Sequence, residues 1–465
     1  MKHTIIKGTI VVTILTFLVK VLSIVYKIPY QNITGDRGFY VYQQVYPLFA
    51  ILFALSSYVI PLVISELLLS HQFKISLKNV KRTMFLFFSL LAGFIVIFRP
   101  FFVFLMNDPD LLDIMILLSL GTLLVPILGI LRGVAYAKIN LINHVGYSLL
   151  IEQLTRVLFI LFVLYLYLNN VISGIYQVAF LSFVGYLLGM LMSIIYLFLM
   201  TRNIRYELED IEQPKIFMRS LTLLLSSSIL IFIQLIDSFT VTNFLEVSFY
   251  EATRIKGVYD RSYPLIQVAV FFVNPLIATY TPHIKKSEDF NRLFEIIFSL
   301  ALPATCGLIL VLDQVNLLLF STNELSYSIK ISLIAICLYA LILCLTAMNK
   351  EGKSKMTIML FLGFGIKYIF NWILIPKMGI MGASIGSVIA LFFILGGLIY
   401  LNRNQLKLNL NTVIKVVLIT ILMGLVIYIA PIKQLFLKIF LGLSVYISLS
   451  YLMNLFNIKS LIKKI

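Results

Sequence analysis

The fold of this chain is decided by one stretch, GFYVYQQVYPL at residues 38–48, which opens a long apolar run. A second stretch, GVYDRSYPL at residues 257–265, has the same initial glycine and the same closing tyrosine-proline-leucine triplet, and an apolar run follows it too. The triplets begin at Tyr46 and Tyr263, 217 residues apart. Their equivalent positions at the starts of long apolar segments indicate an internal repeat.

The composition places most of the protein surface in lipid. Of the 465 residues, 61% are hydrophobic and only 12% are charged, and the mean hydropathy is +1.02. Soluble domains are about half apolar and about a quarter charged, so a soluble core this apolar would have too little polar surface to cover it. We therefore predict an all-α polytopic membrane protein without a large aqueous domain.

Apolar runs of about 20 residues are typical of membrane-spanning helices, and about fourteen such runs are present. A transmembrane barrel is excluded, because its strands would be about 10 residues long and would alternate apolar with polar residues. The predicted spans are 8–28, 39–65, 83–105, 111–136, 147–168, 175–200, 217–241, 258–282, 293–312, 329–348, 356–375, 380–401, 411–430 and 434–457.

The repeat divides these spans into two lobes of six helices with two helices left over. Six is an even number, so both lobes enter the membrane the same way round, and we predict a parallel pseudo-two-fold axis along the membrane normal, as in several transporter classes. The predicted organisation is an N-terminal lobe at 1–202, a charged cytoplasmic linker at 203–216, a C-terminal lobe at 217–403, and two further helices with a cytoplasmic tail at 404–465.

Basic residues in the loops predict the orientation. With the N-terminus inside, the inner segments hold 23 of the 37 lysines and arginines, and the outer segments hold eight. By the positive-inside rule both termini are cytoplasmic, which agrees with an even number of spans. The net charge of +17 is then a topology signal and a contact with anionic lipid, and no nucleic-acid partner is expected.

Basic side chains inside the predicted spans are functional candidates, because a charge at the bilayer centre costs roughly 2.5–3.5 kcal/mol on insertion scales. Two of them lie seven residues apart on one stripe of the first helix, and two more repeat this spacing at the eighth. Together they would line a central cationic cavity, although snorkelling toward the interface is the alternative. The candidate substrate-binding residues are Lys20, Lys27, Arg37, Arg254, Arg261 and Lys367.

Asp237 and Asn371 are the candidates for cation coupling. Carboxylate and amide oxygens suit Na⁺ or a proton, since hard cations take oxygen ligands. A simple ion pair of Asp237 or Asp260 with Arg261 or Lys367 is the alternative. In the fifth span Glu152 and Arg156 stand four residues apart, and we expect them to pair with each other.

Motifs of catalysis and of metal binding are missing from the sequence. The four histidines fall at or near inner loops without a metal-binding spacing, and the three cysteines lie inside apolar runs. There is no phosphate-binding Walker loop and no nucleophile elbow. We therefore expect a protein that is not an enzyme and has no metal site or cofactor apart from a coupling ion.

Four segments of the sequence carry a family resemblance: KGTI at 7–10, KVLSIVYKIP at 20–29, GDRGFYVYQ at 35–43 and IPLVIS at 60–65. With them the chain resembles the stage V sporulation protein B-like polysaccharide transporters. These are relatives of the lipid II flippases, in a superfamily that also contains multidrug exporters. The resemblance is densest over residues 1–70, and by architecture it covers the whole chain.

This resemblance implies alternating access, in which two lobes rock around a cavity. They would carry a polyprenyl-pyrophosphate-linked saccharide from the inner to the outer leaflet of a bacterial plasma membrane, while helices 13 and 14 hold the polyprenyl tail. Implied partners are this lipid-linked glycan, membrane lipids and, as further candidates, envelope-synthesis proteins.

The resemblance also implies roles for particular residues. Headgroup contacts would come from Lys20 and Lys27 on helix 1 and from Arg254 or Arg261 on helix 8, and a sodium site would fall to Asp237 with Asn371. Helix 2 departs from the family pattern, because the expected cation is replaced by Gln43 and Gln44.

Three other functions compete with a flippase. A cation-coupled multidrug exporter of the same superfamily usually has twelve helices and an acid-lined cavity, whereas this chain has two more predicted helices and more intramembrane cations than acids. A membrane enzyme of envelope glycan synthesis would need a paired-acid or histidine site at a membrane face. A scaffold function in an envelope-synthesis complex would not explain why Lys20 and Lys367 occur inside predicted spans.

Overall fold

Helices make up nearly all of the protein. The computed structural model describes residues 2–69, 77–138, 141–202, 224–225, 227–270, 273, 276–277, 287–347, 354–406, 409–432, 434–453 and 455. The described α-helices are α1 Lys2–Val25, α2 Lys27–Ala54, α3 Ile60–Leu69, α4 Leu77–Leu105, α5 Leu112–Ala137, α6 Ile142–Leu168, α7 Ile175–Thr201, α8 Ile229–Phe244, α9 Phe249–Tyr259, α10 Ser262–Ala269, α11 Ser287–Phe320, α12 Ser326–Ser332, α13 Ala335–Ala347, α14 Ser354–Met378, α15 Ile380–Leu401, α16 Leu410–Ile429 and α17 Leu435–Leu452.

The prediction of an all-α polytopic membrane protein is confirmed. Within the described ranges, eleven helical segments are long and apolar enough to cross a membrane, and α8 is a shorter apolar helix. The first segment, Ile14–Ser65, has 52 residues, more than twice the length that one crossing needs. Large apolar side chains of α4, such as Leu90, Ile97 and Phe104, stand exposed at seven-residue steps, which is the lipid-facing stripe of a spanning helix.

Two compact units divide the chain, Met1–Asp260 and Arg261–Ile465. The first unit contains α1 to α9, and its apolar core runs from Val19 to Leu197. In the second unit α14 packs along α15 and α11 packs against α13. The C-terminal helices α16 and α17 also lie against α11, where Val311, Met423 and Ile427 form a small core. The predicted linker at 203–216 lies outside the described residues.

Helix α2 is bent near its start and modified at its end. Gly35 has a φ of 73°, a conformation that glycine adopts without the penalty other residues meet, and it separates the first two turns from the rest of the helix. A π-helical segment, Leu55–Val59, then joins α2 to α3. Such π-turns are rare in helices and frequently mark functional sites.

Gly257, the first residue of the second repeated stretch, packs against α2 in the first unit. The backbone of Gly257 in α9 approaches α2 so closely that a Cβ there would stand 1.9 Å from the carbonyl oxygen of Asp36. Beside this contact, Arg37 Nε donates to Thr253 Oγ1 at 3.3 Å, and the Arg37 guanidinium carbon lies 4.2 Å from the centre of the Tyr250 ring. The glycine of the second stretch therefore permits close packing of α9 on α2.

Asp108 joins α7 to the turn between α4 and α5. Its side chain caps the 3₁₀ turn Pro109–Leu111 by accepting from the backbone N–H of Asp110 at 3.3 Å. The Tyr176 hydroxyl donates to its carboxylate, at 3.2 and 3.1 Å from the two oxygens. The side chain is buried, and burial raises the pKa of the Asp108 carboxyl to about 6, since loss of water penalises the charged form.

Gly257→Ala is expected to lower the thermal unfolding midpoint of the protein in detergent. The added methyl group would collide with backbone that cannot rotate away, and overpacking of this kind costs about 1–3 kcal/mol. Gly93→Ala is the matched control, because a Cβ at Gly93 meets nothing within 4 Å and alanine favours the helix. Equal stability of the two variants would contradict the close approach.

Asp108→Asn is expected to change how stability depends on pH. The pKa of Asp108 lies above its ordinary value of 3.8, so the folded protein binds this proton more tightly than the unfolded chain. The wild type should therefore lose stability relative to Asp108→Asn as pH rises from about 4 to about 6, by up to about 3 kcal/mol. Unfolding midpoints at pH 4, 5, 6 and 7 measure this difference, and parallel profiles would refute it.

Candidate functional site

Lys27 is the most deeply buried predicted cation of the first unit. It begins α2, is 2% exposed, and places its Nζ 3.9 Å from the centre of the Tyr46 ring. Neighbouring tyrosines complete its surroundings: the Tyr26 and Tyr42 hydroxyls are 2.6 Å apart, and the Tyr42 and Tyr46 rings lie 5.6 Å apart. A lysine over the face of a tyrosine is held by a cation–π attraction.

Arg156 brings a second buried cation to the same place. This residue of α6 is 4% exposed, and its guanidinium carbon lies 5.0 Å from the centre of the Tyr186 ring and 5.7 Å from that of Phe53. Its electrostatic neighbours also include Lys27 and the tyrosines around it. We call these residues the cation–tyrosine cluster: Lys27, Arg156, Tyr26, Tyr42, Tyr46 and Tyr186.

Glu152 pairs with Arg132, so the predicted ion pair between Glu152 and Arg156 is wrong. Arg132 Nη2 lies 2.6 Å from Glu152 Oε2, and both side chains are buried. The four-residue spacing shows only that Glu152 and Arg156 share a face of α6. It does not reveal Arg132, which reaches Glu152 from the adjacent α5. Among the described residues, no carboxylate lies within salt-bridge distance of Lys27 or Arg156.

The other predicted cations of the first unit lie in different surroundings. Lys20 is exposed on α1, and its backbone carbonyl accepts from the Ser23 hydroxyl at 2.7 Å. Arg37 is half-buried and binds α9 through Thr253. Arg254 is 32% exposed and forms a two-point ion pair with Glu251 at 2.7 and 3.0 Å. These three side chains are therefore placed less deeply than Lys27.

Gln44, which stands where the family resemblance implies a cation, has a packing role. Its amide nitrogen donates to the backbone carbonyls of Ser238, at 2.7 Å, and Met106, at 3.2 Å. The second carbonyl belongs to the C-terminal end of α4, where helices leave carbonyl groups without intrahelical partners. The adjacent Gln43 is fully buried, and neither of its amide atoms has a hydrogen-bond partner among the described residues.

Two buried acidic residues of the first unit, Asp237 and Asp260, lie on α8 and directly after α9. Asp237 is fully buried and accepts from the Tyr259 hydroxyl at 3.2 Å. Asp260 forms a buried ion pair with Lys256, whose Nζ stands 2.7 Å from Asp260 Oδ2. Asp260 is also an electrostatic neighbour of Lys27. A negative charge therefore stands near the cation–tyrosine cluster but is engaged by another lysine.

Two predicted cations and Asn371 lie in the second unit. Lys367 is fully buried on α14 and donates to Asn371 Oδ1 at 2.9 Å and to the backbone carbonyl of Ala383 at 2.8 Å. Arg261 is also buried, and its guanidinium carbon lies 4.7 Å from the centre of the Phe320 ring. The amide oxygen of Asn371 is thus engaged by a fixed positive charge.

Chemically, the cation–tyrosine cluster suits an anion. It contains two basic side chains, several aromatic rings and four hydroxyl groups, which both donate and accept hydrogen bonds. The Tyr26 and Tyr42 hydroxyls bond each other, and the Tyr186 hydroxyl donates to the backbone carbonyl of Phe49. In the part of the chain that the structure describes, no group of three or more histidine, cysteine or acidic side chains is arranged to hold a metal ion. Sequence reasoning found Lys27 but missed Arg156, because the nearby Glu152 was expected to neutralise it.

Comparison with known proteins identifies the family. A family model described as "Polysaccharide biosynthesis protein" matches residues 5–288. The "Uncharacterized membrane protein YabM" of Bacillus subtilis (strain 168) is 29% identical over 438 residues, which cover 87% of this chain and 80% of that protein.

Solved structures share the fold at low sequence identity. The structure described as "Lipid II flippase MurJ, inward closed conformation" has a TM-score of 0.64 and 15% identity, over 96% of this chain and 99% of that one. An inward-facing multidrug resistance MATE family transporter of the MOP superfamily has a TM-score of 0.58 and 15% identity, over 83% and 94% of the two chains.

These matches confirm the resemblance to lipid II flippase-like polysaccharide transporters. The family match covers more than half of the residues, and the chain therefore belongs to the polysaccharide biosynthesis protein family.

Proposed function

We propose that this chain is a flippase. Its cargo is a polyprenyl-pyrophosphate-linked saccharide, either lipid II or a related cell-envelope glycan precursor. The protein carries this cargo from the inner to the outer leaflet of a bacterial plasma membrane by alternating access, with both termini in the cytoplasm. The observation that carries the proposal is the burial of Lys27 and Arg156, which are electrostatic neighbours, without a carboxylate in salt-bridge distance of either among the described residues.

The electrostatics of the cluster favour a ligand with several negative charges. A buried charge is costly unless it is paired, and two like charges close together add to that cost. A pyrophosphate offers oxygens to both cations, and charge-assisted hydrogen bonds are about twice as strong as neutral ones. The tyrosine hydroxyls are suited to the hydroxyl groups of an attached sugar.

The physics of the membrane explains why such a cargo needs a protein. A pyrophosphate with attached sugars cannot cross about 30 Å of hydrocarbon unaided, whereas its polyprenyl tail never has to leave lipid. The membrane potential, negative inside, favours outward movement of an anion by about 2.3 kcal/mol per charge per 100 mV. Net export therefore has a source of energy even without a coupled ion.

Membership of a polysaccharide biosynthesis family supports a saccharide cargo, and the shared fold with a structure titled lipid II flippase supports a flippase mechanism. Coupling to Na⁺ or H⁺, at Asp237 in the first unit or at Asn371 in the second, is part of the proposal. A cation at Asn371 would have to displace the ammonium group of Lys367, so Asp237 is the stronger candidate.

A multidrug exporter is the second candidate function. It is favoured by the shared fold with MATE transporters and by the buried carboxylates of Asp237 and Asp260 in the first unit, which would attract a cationic drug. The unpaired cations of the cation–tyrosine cluster oppose it, because they would repel such a drug.

Lys27→Ala is expected to weaken binding of an undecaprenyl-pyrophosphate-linked saccharide by at least about tenfold, which corresponds to about 1.4 kcal/mol. Binding is measured by native mass spectrometry of the full chain in mild detergent. Lys330→Ala is the matched control, because Lys330 is partly exposed and paired with Asp313 in the second unit. It should bind as the wild type does.

Two results would overturn the proposal. The first is a wild type that binds no polyprenyl-linked saccharide but binds organic cations saturably in a manner that requires Asp237. The second is saccharide binding that Lys27→Ala and Lys330→Ala leave equally intact.

A further inference from the structure

We infer that the Arg132–Glu152 pair holds a negative charge away from Arg156 and thereby keeps Arg156 available as the second anion-binding cation. This inference rests on the proposed function. Arg132 does not belong to the cation–tyrosine cluster, so it acts as a positioning residue through Glu152.

Glu152 has two cations that it is able to reach. It lies four residues before Arg156 on α6, a spacing that places the two side chains on the same face of a helix and allows an ion pair. In the structure its Oε2 instead accepts from Arg132 at 2.6 Å, and its Oε1 has no hydrogen-bond partner among the described residues. The choice between the two arginines decides whether Arg156 keeps a net positive charge.

Arg132 is held in place by acceptors from three elements: α6, α7 and the π-helical segment. Its remaining donors reach Ser148 Oγ at 3.0 Å, Ser57 Oγ at 2.9 Å, Ser193 Oγ at 3.1 Å and the backbone carbonyl of Ser56 at 3.4 Å. Together with Glu152 these acceptors occupy all five N–H groups of the guanidinium.

Neutral serine acceptors leave Glu152 as the only carboxylate among these partners. Ser56 and Ser57 belong to the π-helical segment that ends α2. The site of Arg132 is therefore built to fix its position rather than to leave it free to bind a ligand.

The hydrogen-bonding groups around Arg156 are still open. Its Nη2 contacts Gln153 Oε1, but its Nε has no partner among the described residues. The amide nitrogen of the fully buried Gln153 has none there either. Both open groups are N–H donors, so the ligand that satisfies them must offer acceptor oxygens, as the oxygens of a phosphate do.

Loss of Arg132 would change the charge near the cation–tyrosine cluster without removing any of the residues of that cluster. With Arg132 replaced by a neutral side chain, Glu152 would be a buried carboxylate without its ion-pair partner. Arg156 lies on the same face of α6 as Glu152, so it is the cation with which Glu152 would then pair. Their pairing would neutralise Arg156. An anion would then meet a single cation, Lys27, in place of two.

A double-mutant experiment tests this arrangement. The probe is undecaprenyl pyrophosphate, titrated into the full chain in mild detergent, with undecaprenol as the uncharged control. Arg132→Gln should weaken binding at least about tenfold, and so should Arg156→Gln. Glu152→Gln should bind as the wild type does, and Arg132→Gln combined with Glu152→Gln should recover most of the lost affinity.

A merely structural role for the pair gives a different pattern. Removing both partners would then leave binding as weak as in Arg132→Gln alone, and that result would overturn the inference. So would normal binding by folded Arg132→Gln. If Arg132→Gln fails to fold, Glu152→Gln provides the test. Loss of binding in folded Glu152→Gln would contradict the inference. Normal binding by Glu152→Gln, together with weakened binding by Arg156→Gln, would support it.

The proposed function fails separately. It fails when the wild type does not bind the pyrophosphate lipid or when Lys27→Ala binds it normally. The present inference fails when Lys27→Ala loses binding as expected but the Arg132 and Glu152 variants do not follow the predicted pattern.

Discussion

The contact of Lys27 with the ring of Tyr46 places a positive charge inside a helix bundle that is surrounded by lipid. Such a charge must be compensated by nearby groups, and in the first unit some buried cations have a carboxylate partner whereas others do not. Arg132 has Glu152 and Lys256 has Asp260, both at ion-pair distance and fully buried. Lys27 and Arg156 have aromatic rings and hydroxyl groups instead. Our proposed function follows from this difference, because an anionic cargo would supply the negative charge that Lys27 and Arg156 lack.

The fold class could be predicted from the sequence because the lipid bilayer restricts which structures can span it. A spanning helix must be apolar for about 20 residues and must satisfy its own backbone, so hydropathy alone predicts an all-α multi-pass protein. The glycine that opens the second repeated stretch also has a structural role, since a Cβ at Gly257 would collide with the backbone of Asp36. The bend at Gly35 and the π-turn at Leu55–Val59 were not predicted, because they depend on packing against neighbouring helices.

The candidate site could be predicted only in part from the sequence. Burial of Lys27 followed from its place in an apolar run. The pairing of Glu152 did not, because spacing along one helix gives no information about the neighbouring helix that carries Arg132. The pairing of Arg254 was not predicted either: its side chain is 32% exposed and lies 2.7 Å from that of Glu251, three residues earlier on the same helix. Side-chain partners across helices are tertiary information, and one sequence does not contain it.

One fold serves different cargoes, since structures titled as a lipid II flippase and as a multidrug transporter both share the fold of this chain at 15% identity. The fold therefore does not choose the cargo. We propose that in this chain the choice rests on the positive sign of the buried charges that lack a carboxylate partner, which the Arg132–Glu152 pair would control. Replacing Arg132 by a neutral residue would alter the selectivity for anionic cargo without altering the arrangement of the helices.

A structure of the protein in a lipid nanodisc with an undecaprenyl-pyrophosphate-linked saccharide tests the central claim most directly. We predict that cryo-electron microscopy will show the pyrophosphate within hydrogen-bonding distance of Lys27 and Arg156, with Glu152 still bound to Arg132. Pyrophosphate density elsewhere in the protein, with the cation–tyrosine cluster free of ligand, would contradict the account.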